Sequence, residues 1–236
     1  MTFSLGRIYA IFNKDMKDLS KNMFVLSTAL MPLFFAFLFG RGETVPLEIH
    51  FLVINLTLTA VAVFVQASLI AEEKEKNTLR TLMMSPAGTM EILIGKSLVT
   101  AFLTIATLII CMRITGYVPE NGPVVYAGLA LGIIFFLTLG TLMGLLTRSL
   151  IEASVVALPV LFLFGMGNLF VEFFQEYEFL SVLDYLPNFQ LELLAAETAA
   201  GAGWAETGSI FLVLTAWTVA AAAAVIAAYR YNMKDN

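Results

Sequence analysis

Glu72 and Glu73 stand side by side after a long apolar run, and Gly95-Lys96-Ser97 follows closely enough to invite a nucleotide-binding reading. A glutamate pair followed by arginine in the pattern E-E-x-x-x-R would furnish the acid–base set of one class of intramembrane protease. Position 77 holds Asn77 instead, so that set is incomplete. A phosphate loop, G-x-x-x-x-G-K-[ST], would need glycine at position 90, where Met90 stands, and a strand before it that the sequence does not suggest. The single Cys111 excludes an intrachain disulfide and a multi-cysteine metal site, and the single His50 leaves little for acid–base or metal chemistry. No catalytic residue, metal or cofactor is therefore expected in this chain. What remains is a set of polar side chains inside apolar segments: Asn55, Thr59 and Gln66 in one, Thr100, Thr104 and Thr107 with Cys111 in the next. At 3.6 residues per turn, the first three fall within about 40° of one another. Two such stripes either line a translocation path or hydrogen-bond within a helix bundle.

The elements that must carry these residues are set by composition. Of the 236 residues, 59% are hydrophobic and 13% charged, and the mean hydropathy is +0.87. Soluble domains carry about 25% charged residues, so this chain is expected to be an integral membrane protein. It has no binding pattern for nucleic acid. The many Phe, Leu, Ala and Val fit helices rather than the alternating strands of a β-barrel. Six apolar segments approach the roughly 20 residues needed to cross a bilayer: Met23 to Gly40, Phe51 to Ala71, Ser97 to Thr115, Val124 to Leu146, Ile151 to Phe170 and Thr207 to Tyr229. The polar, mixed-charge start of the chain does not resemble a cleavable signal. The fold expected is thus one all-α transmembrane domain over residues 1–236.

Charge orients it. Eleven of the 13 Lys and Arg fall at one end of the spans, with only Arg41 and Arg113 at the other. By the positive-inside rule both termini and residues 72–96 are cytoplasmic. The opposite face is acidic. Leu5, Ile8, Phe12, Met16, Leu19 and Met23 recur at steps of three and four, which predicts an amphipathic helix over residues 1–22 in the headgroup layer. Residues 171–206 are too polar to span and too apolar for a plain loop; short helices at the surface or dipping inward are expected there. Gly128, Gly132, Gly140 and Gly144 form small-x-x-x-small pairs suited to close helix approach, within this chain or across a dimer. Pro159 should kink the fifth span. Glu172 is either a wetted carboxylate or a contact for a cationic substrate.

The segment 72–96 reads as a helical hairpin projecting into water. EEKEKNTLRTLMM has no Pro or Gly, Ser85-Pro86-Ala87-Gly88 is a turn, and Thr89 can begin a second helix with Glu91 in its first turn. The exposed apolar residues Leu79, Leu82 and Met83 on a charged projection suggest a docking surface for a cytoplasmic partner.

The string EKEKNTLRTLMMSPAGTMEILIGK resembles the signature of ABC-2-type transporter permeases, E-x-E-x-G-T-x-x-x-L-x-x-x-P followed by G-K. Glu73, Glu75, Thr78, Leu82, Pro86, Gly95 and Lys96 fall on it, with Asn77 in place of the usual glycine. The LPNF at Leu186 to Phe189 is similar to the family's outer turn. The resemblance implies that Glu73, Glu75, Thr78, Leu79, Leu82, Met83, Pro86, Gly88 and Thr89 form a coupling element that docks on a separate ATP-hydrolysing subunit. ATP and Mg would be bound there. It further implies a second permease chain, identical or different, in a prokaryotic plasma membrane. Members similar to this one export antibiotics, peptides, lipids, polysaccharides or ions; the short outer loops fit a small amphipathic substrate. A non-transporting assembly factor on the same fold is the remaining alternative.

Overall fold

A computed structural model describes residues 4–42, 44–76, 89–170 and 178–232. Among them every regular element is helical. Helix α1 (Leu5–Leu19) is followed by α2 (Met23–Phe39), which opens with the Asn22 side chain accepting from the Val25 amide at 3.2 Å. Next come α3 (Leu47–Glu75), α4 (Thr89–Thr115), α5 (Gly122–Leu146), α6 (Leu150–Gly165), α7 (Pro187–Ala199) and α8 (Gly208–Asn232). Short 3₁₀ turns occupy Gly167–Phe170 and Glu178–Tyr185.

Four of these helices are long and apolar enough to cross a membrane: α3, α4, α5 and α8. The apolar parts of α2, Val25–Phe39, and α6 are shorter. The span expected over Ile151 to Phe170, with a kink at Pro159, therefore stops early, at Gly165. Pro159 lacks the amide hydrogen that would hold the preceding turn; Leu161–Gly165 is wound as a π-helix, and the helical path breaks at Met166.

Helix α3 is the axis of the bundle. The most apolar window of α3 is wholly buried, whereas only 17% of the corresponding window of α8 is. Phe51, Ile54 and Leu58 join the main core with Phe135, Phe136 and Phe164, while Val61, Val65 and Leu69 pack with Leu19, Val25 and Val99. The outer helices turn Phe34, Phe102, Ile109, Val155 and Leu212 outward, as a surface solvated by lipid tails allows.

α3 also contains a π-helical turn at Leu58–Val63, flanked by α-helix over Leu47–Thr57 and Phe64–Glu75. A π turn accommodates one residue more than an α turn, so the two halves of α3 are rotated against each other. The single stripe expected for Asn55, Thr59 and Gln66 is split. A methyl group at Gly165 of α6 would come within 2.5 Å of Thr59 Oγ1, whereas Gln66 reaches α4 and α5.

The four glycines of the small-x-x-x-small pairs on α5 face atoms of this chain. A methyl group at Gly128 or Gly132 would strike Leu194 or Leu191 of α7; at Gly140 or Gly144 it would strike Val63 O or Ala67 O of α3. Helix α7, which starts at Pro187 of the LPNF turn, buries Leu191, Leu194 and Ala195 between the spans. It is one of the short helices expected within 171–206.

Candidate functional site

The two arms of the 72–96 segment leave the bundle as the last turn of α3 and the first turns of α4, and their side chains are tied together at the root. Lys96 of α4 places its ammonium 3.0 Å from Glu73 Oε1 of α3 and 3.0 Å from Asp15 Oδ2 of α1. Lys14 donates to the same Glu73 oxygen at 2.6 Å and to Asp15 at 3.2 Å. Lys96 is 1% exposed, Asp15 2% and Glu73 7%. Three helices are thus clamped by two lysines and two carboxylates in which each buried charge has an opposite partner, the condition under which buried ions are tolerated. Burial alone would lower the Lys14 ammonium pKa, but its hydrogen bond with Glu73 and the charge of Asp15 outweigh burial and raise it above the ordinary lysine value.

Gly95 explains why α1 can lie so close. A Cβ there would sit 2.8 Å from Ile11 Cγ2 and 3.3 Å from the Ile8 carbonyl. The Gly-Lys pair therefore does two jobs at one helix crossing: Gly95 admits the backbone of α1, and Lys96 bonds it. A second set of contacts flanks the first. Arg7 pairs with Glu91 at 2.9 Å, Asn22 donates to Glu72 at 3.2 Å, Lys76 pairs with Glu72, and Lys74 donates to the Leu145 carbonyl at 2.6 Å. Glu75 accepts from the Leu150 amide at 3.0 Å and so binds the start of α6. Between α1 and α3 lies a polar cavity of about 510 Å³, walled by Lys14, Asp18, Lys21, Glu72 and Lys76.

Of the residues expected to meet a cytoplasmic partner, Glu73 and Glu75 are placed in this root. Thr89 opens α4, and Thr78, Leu79, Leu82, Met83, Pro86 and Gly88 lie outside the described residues. Sequence reasoning missed Asp15. The buried face of α1 is Ile8, Ile11, Asp15 and Leu19, while Leu5 and Met23 are 76% and 74% exposed. The apolar stripe is rotated from the one expected. A charge at i+4 from Ile11 and i−4 from Leu19 was the signal available.

The six polar residues considered for a path are all buried. Gln66 is a hub: it donates to Ser97 at 3.1 Å and Thr141 at 3.0 Å and accepts from Thr100 at 2.7 Å. Thr59, Thr104 and Thr107 donate to carbonyls within their own helices. Among the described residues neither polar atom of the Asn55 amide has a hydrogen-bond partner. Beside the hub, α4, α5 and α8 enclose a largely apolar groove of about 750 Å³, with Ser97 and Thr141 in its wall and Arg230 at its clamp end.

A family model described as ABC-2 family transporter protein matches residues 47–227, from the first turn of α3 to the last turns of α8. No curated protein matches the chain.

Proposed function

The chain belongs to the ABC-2 family of transporter proteins, and from that premise we propose that it is the permease subunit of an ATP-driven exporter. In this reading six helices cross the plasma membrane, α2 and α6 completing the set of four long ones, with both termini cytoplasmic. The hairpin 72–96 is the coupling element. Its tip, Thr78, Leu79, Leu82, Met83, Pro86 and Gly88, docks on a separate ATPase that binds ATP and Mg. A second permease chain completes the pathway, and a small amphipathic substrate moves outward.

The observation that carries this reading is the Glu73–Lys96–Asp15 clamp. A push on the hairpin tip reaches both arms at once, because Lys96 holds α4 to α3 and both to α1. As α3 is the axis of the bundle, the push is delivered to the helix that touches most of the others. The Gln66 hub continues the linkage to α5. The groove beside it supports an amphipathic substrate, since its wall is apolar and a cationic side chain stands at its end.

The test is co-expression with the ABC-type ATPase encoded beside the gene, followed by purification and ATP turnover in lipid nanodiscs. Co-purification is expected, with turnover reduced at least tenfold by Pro86→Ala or Glu75→Gln. An ATPase that does not co-purify, together with turnover indifferent to both substitutions, overturns the reading.

A further inference from the structure

At the end of the bundle away from the clamp, α6 stops at Gly165, short of its neighbours. Near that end the Leu163 carbonyl faces a polar side chain. Asn188 of α7 directs its amide nitrogen toward the Leu163 carbonyl, at 3.5 Å, and donates to Asn168 Oδ1 at 3.1 Å. Asn168 in turn donates to the Glu192 carboxylate. With Glu192 ionised, the directions of these bonds are determined. A carboxylate only accepts, so Asn168 must present its NH₂ to Glu192 and its oxygen to Asn188. Asn188 then presents its NH₂ to Asn168, and its own oxygen is left over. Among the described residues that oxygen has no hydrogen-bond partner, although Asn188 is 0% exposed.

Three further features give the place a sign. Asn188 and Glu192 are four residues apart on α7 and share one face. The C-terminal end of α6, where its carbonyls carry partial negative charge, points at that face. Glu48, at the start of α3, adds its charge to that of Glu192. A carboxylate, a helix-end carbonyl and the amide that carries the unpaired oxygen are joined through Asn168 and Asn188, and each of the three oxygens can accept from a ligand.

We propose that Asn168, Asn188 and Glu192 form a binding site for a small monovalent cation, either an alkali ion or the ammonium group of an organic amine, held by Asn188 Oδ1, the Glu192 carboxylate and the Leu163 carbonyl. One carboxylate with neutral oxygens suits a single positive charge; divalent sites gather more anionic ligands. The site stands whether or not the chain works with an ATPase, because it lies at the opposite end of the bundle from the clamp.

Trp217 provides the readout. Its indole donates to the Tyr185 carbonyl at 2.8 Å, two residues before α7 begins. Full-length protein in nanodiscs, with Trp204→Phe to leave one indole, is titrated with sodium or methylammonium chloride against choline chloride at constant ionic strength. A saturable change in Trp217 emission is expected with one of the two cations, and the responding arm identifies the source. A parallel rise in the thermal midpoint should follow the same concentration dependence. Glu192→Gln, which keeps the shape and the Asn168 hydrogen bond, should weaken the response at least tenfold, as should Asn188→Leu. If Asn188→Leu does not fold, Glu192→Gln decides alone. No saturable response to either cation, or a response unchanged in Glu192→Gln, overturns the proposal.

Discussion

Lys96 is the most deeply buried lysine of the clamp, and its two carboxylate partners are nearly as deep. Removing one member of such a set leaves uncompensated charge, which costs about 3–5 kcal/mol, whereas replacing the whole set with neutral groups can be nearly free. Lys96→Met should therefore lower folding stability by about 3 kcal/mol or more. Asp15→Asn, Glu73→Gln and Lys96→Met together should recover most of that loss in thermal unfolding in detergent. A triple variant no more stable than the single one would mean that packing, not charge, sets the cost. At the other end, burial pushes the Glu192 carboxyl up to about 7, and the charge of Glu48 adds to it. A carboxyl whose folded pKa lies above its unfolded value, about 4.3 for glutamate, contributes stability that is fully present below that unfolded value. The contribution is lost as pH rises through about 7. Unfolding midpoints between pH 5 and pH 8 should fall with rising pH and flatten in Glu192→Gln. At this scale the sequence was only partly legible. Glu73 and Lys96 stood out by motif, but nothing in their spacing reveals that they face each other, since the pairing depends on where α3 and α4 cross. Asp15 escaped because a rotation of α1 by part of a turn was enough to hide it.

Helices were legible where apolar runs were long, because lipid leaves backbone polar groups no partner but the helix itself. The π turns were not. Leu58–Val63 and Leu161–Gly165 have the same composition as the α-helix around them, and only their neighbours distinguish them. The first is held between two glycines of other helices: Gly140 approaches the Val63 carbonyl and Gly165 approaches Thr59. The glycine pattern on α5 could be read, but not what each glycine meets, and that difference has a measurable consequence. A Cβ at Gly140 would lie 2.5 Å from a backbone oxygen, which moves only if α3 moves. At Gly128 the obstacle is Leu194 Cδ2, the end of a flexible side chain. Gly140→Ala should destabilise by about 1–3 kcal/mol, in the range of an overpacked core, and Gly128→Ala by clearly less. Equal midpoints for the two variants would show that α5 and α3 separate without cost.

For the molecule as a whole, the same charge count that underlies the proposed orientation also accounts for the position of the clamp. Lysines and arginines gather at one end of the helices, the end that the proposed orientation puts in the cytoplasm, and there they supply the cations that bind α1 to the roots of the hairpin. An arrangement in which α1 lies along the cytoplasmic surface, bonded to α3 and α4, requires every odd-numbered connection to be on the far side. That requirement fails if α2 or α6, the two short helices, does not cross. The crossing can be tested directly. Cys111 is buried, so Cys111→Ala provides a background without thiols. Single cysteines then replace Asp18, Glu120, Arg148 and Ala200, all of which are exposed. Membrane-impermeant maleimide added to intact cells should label Glu120→Cys and Ala200→Cys. Asp18→Cys and Arg148→Cys should react only after the membrane is opened. If Asp18→Cys is labelled from outside, α2 does not cross and α1 cannot be a cytoplasmic lever. If Arg148→Cys and Ala200→Cys share a side, α6 is re-entrant, and the cation site at its end would lie within the membrane instead of at its outer mouth.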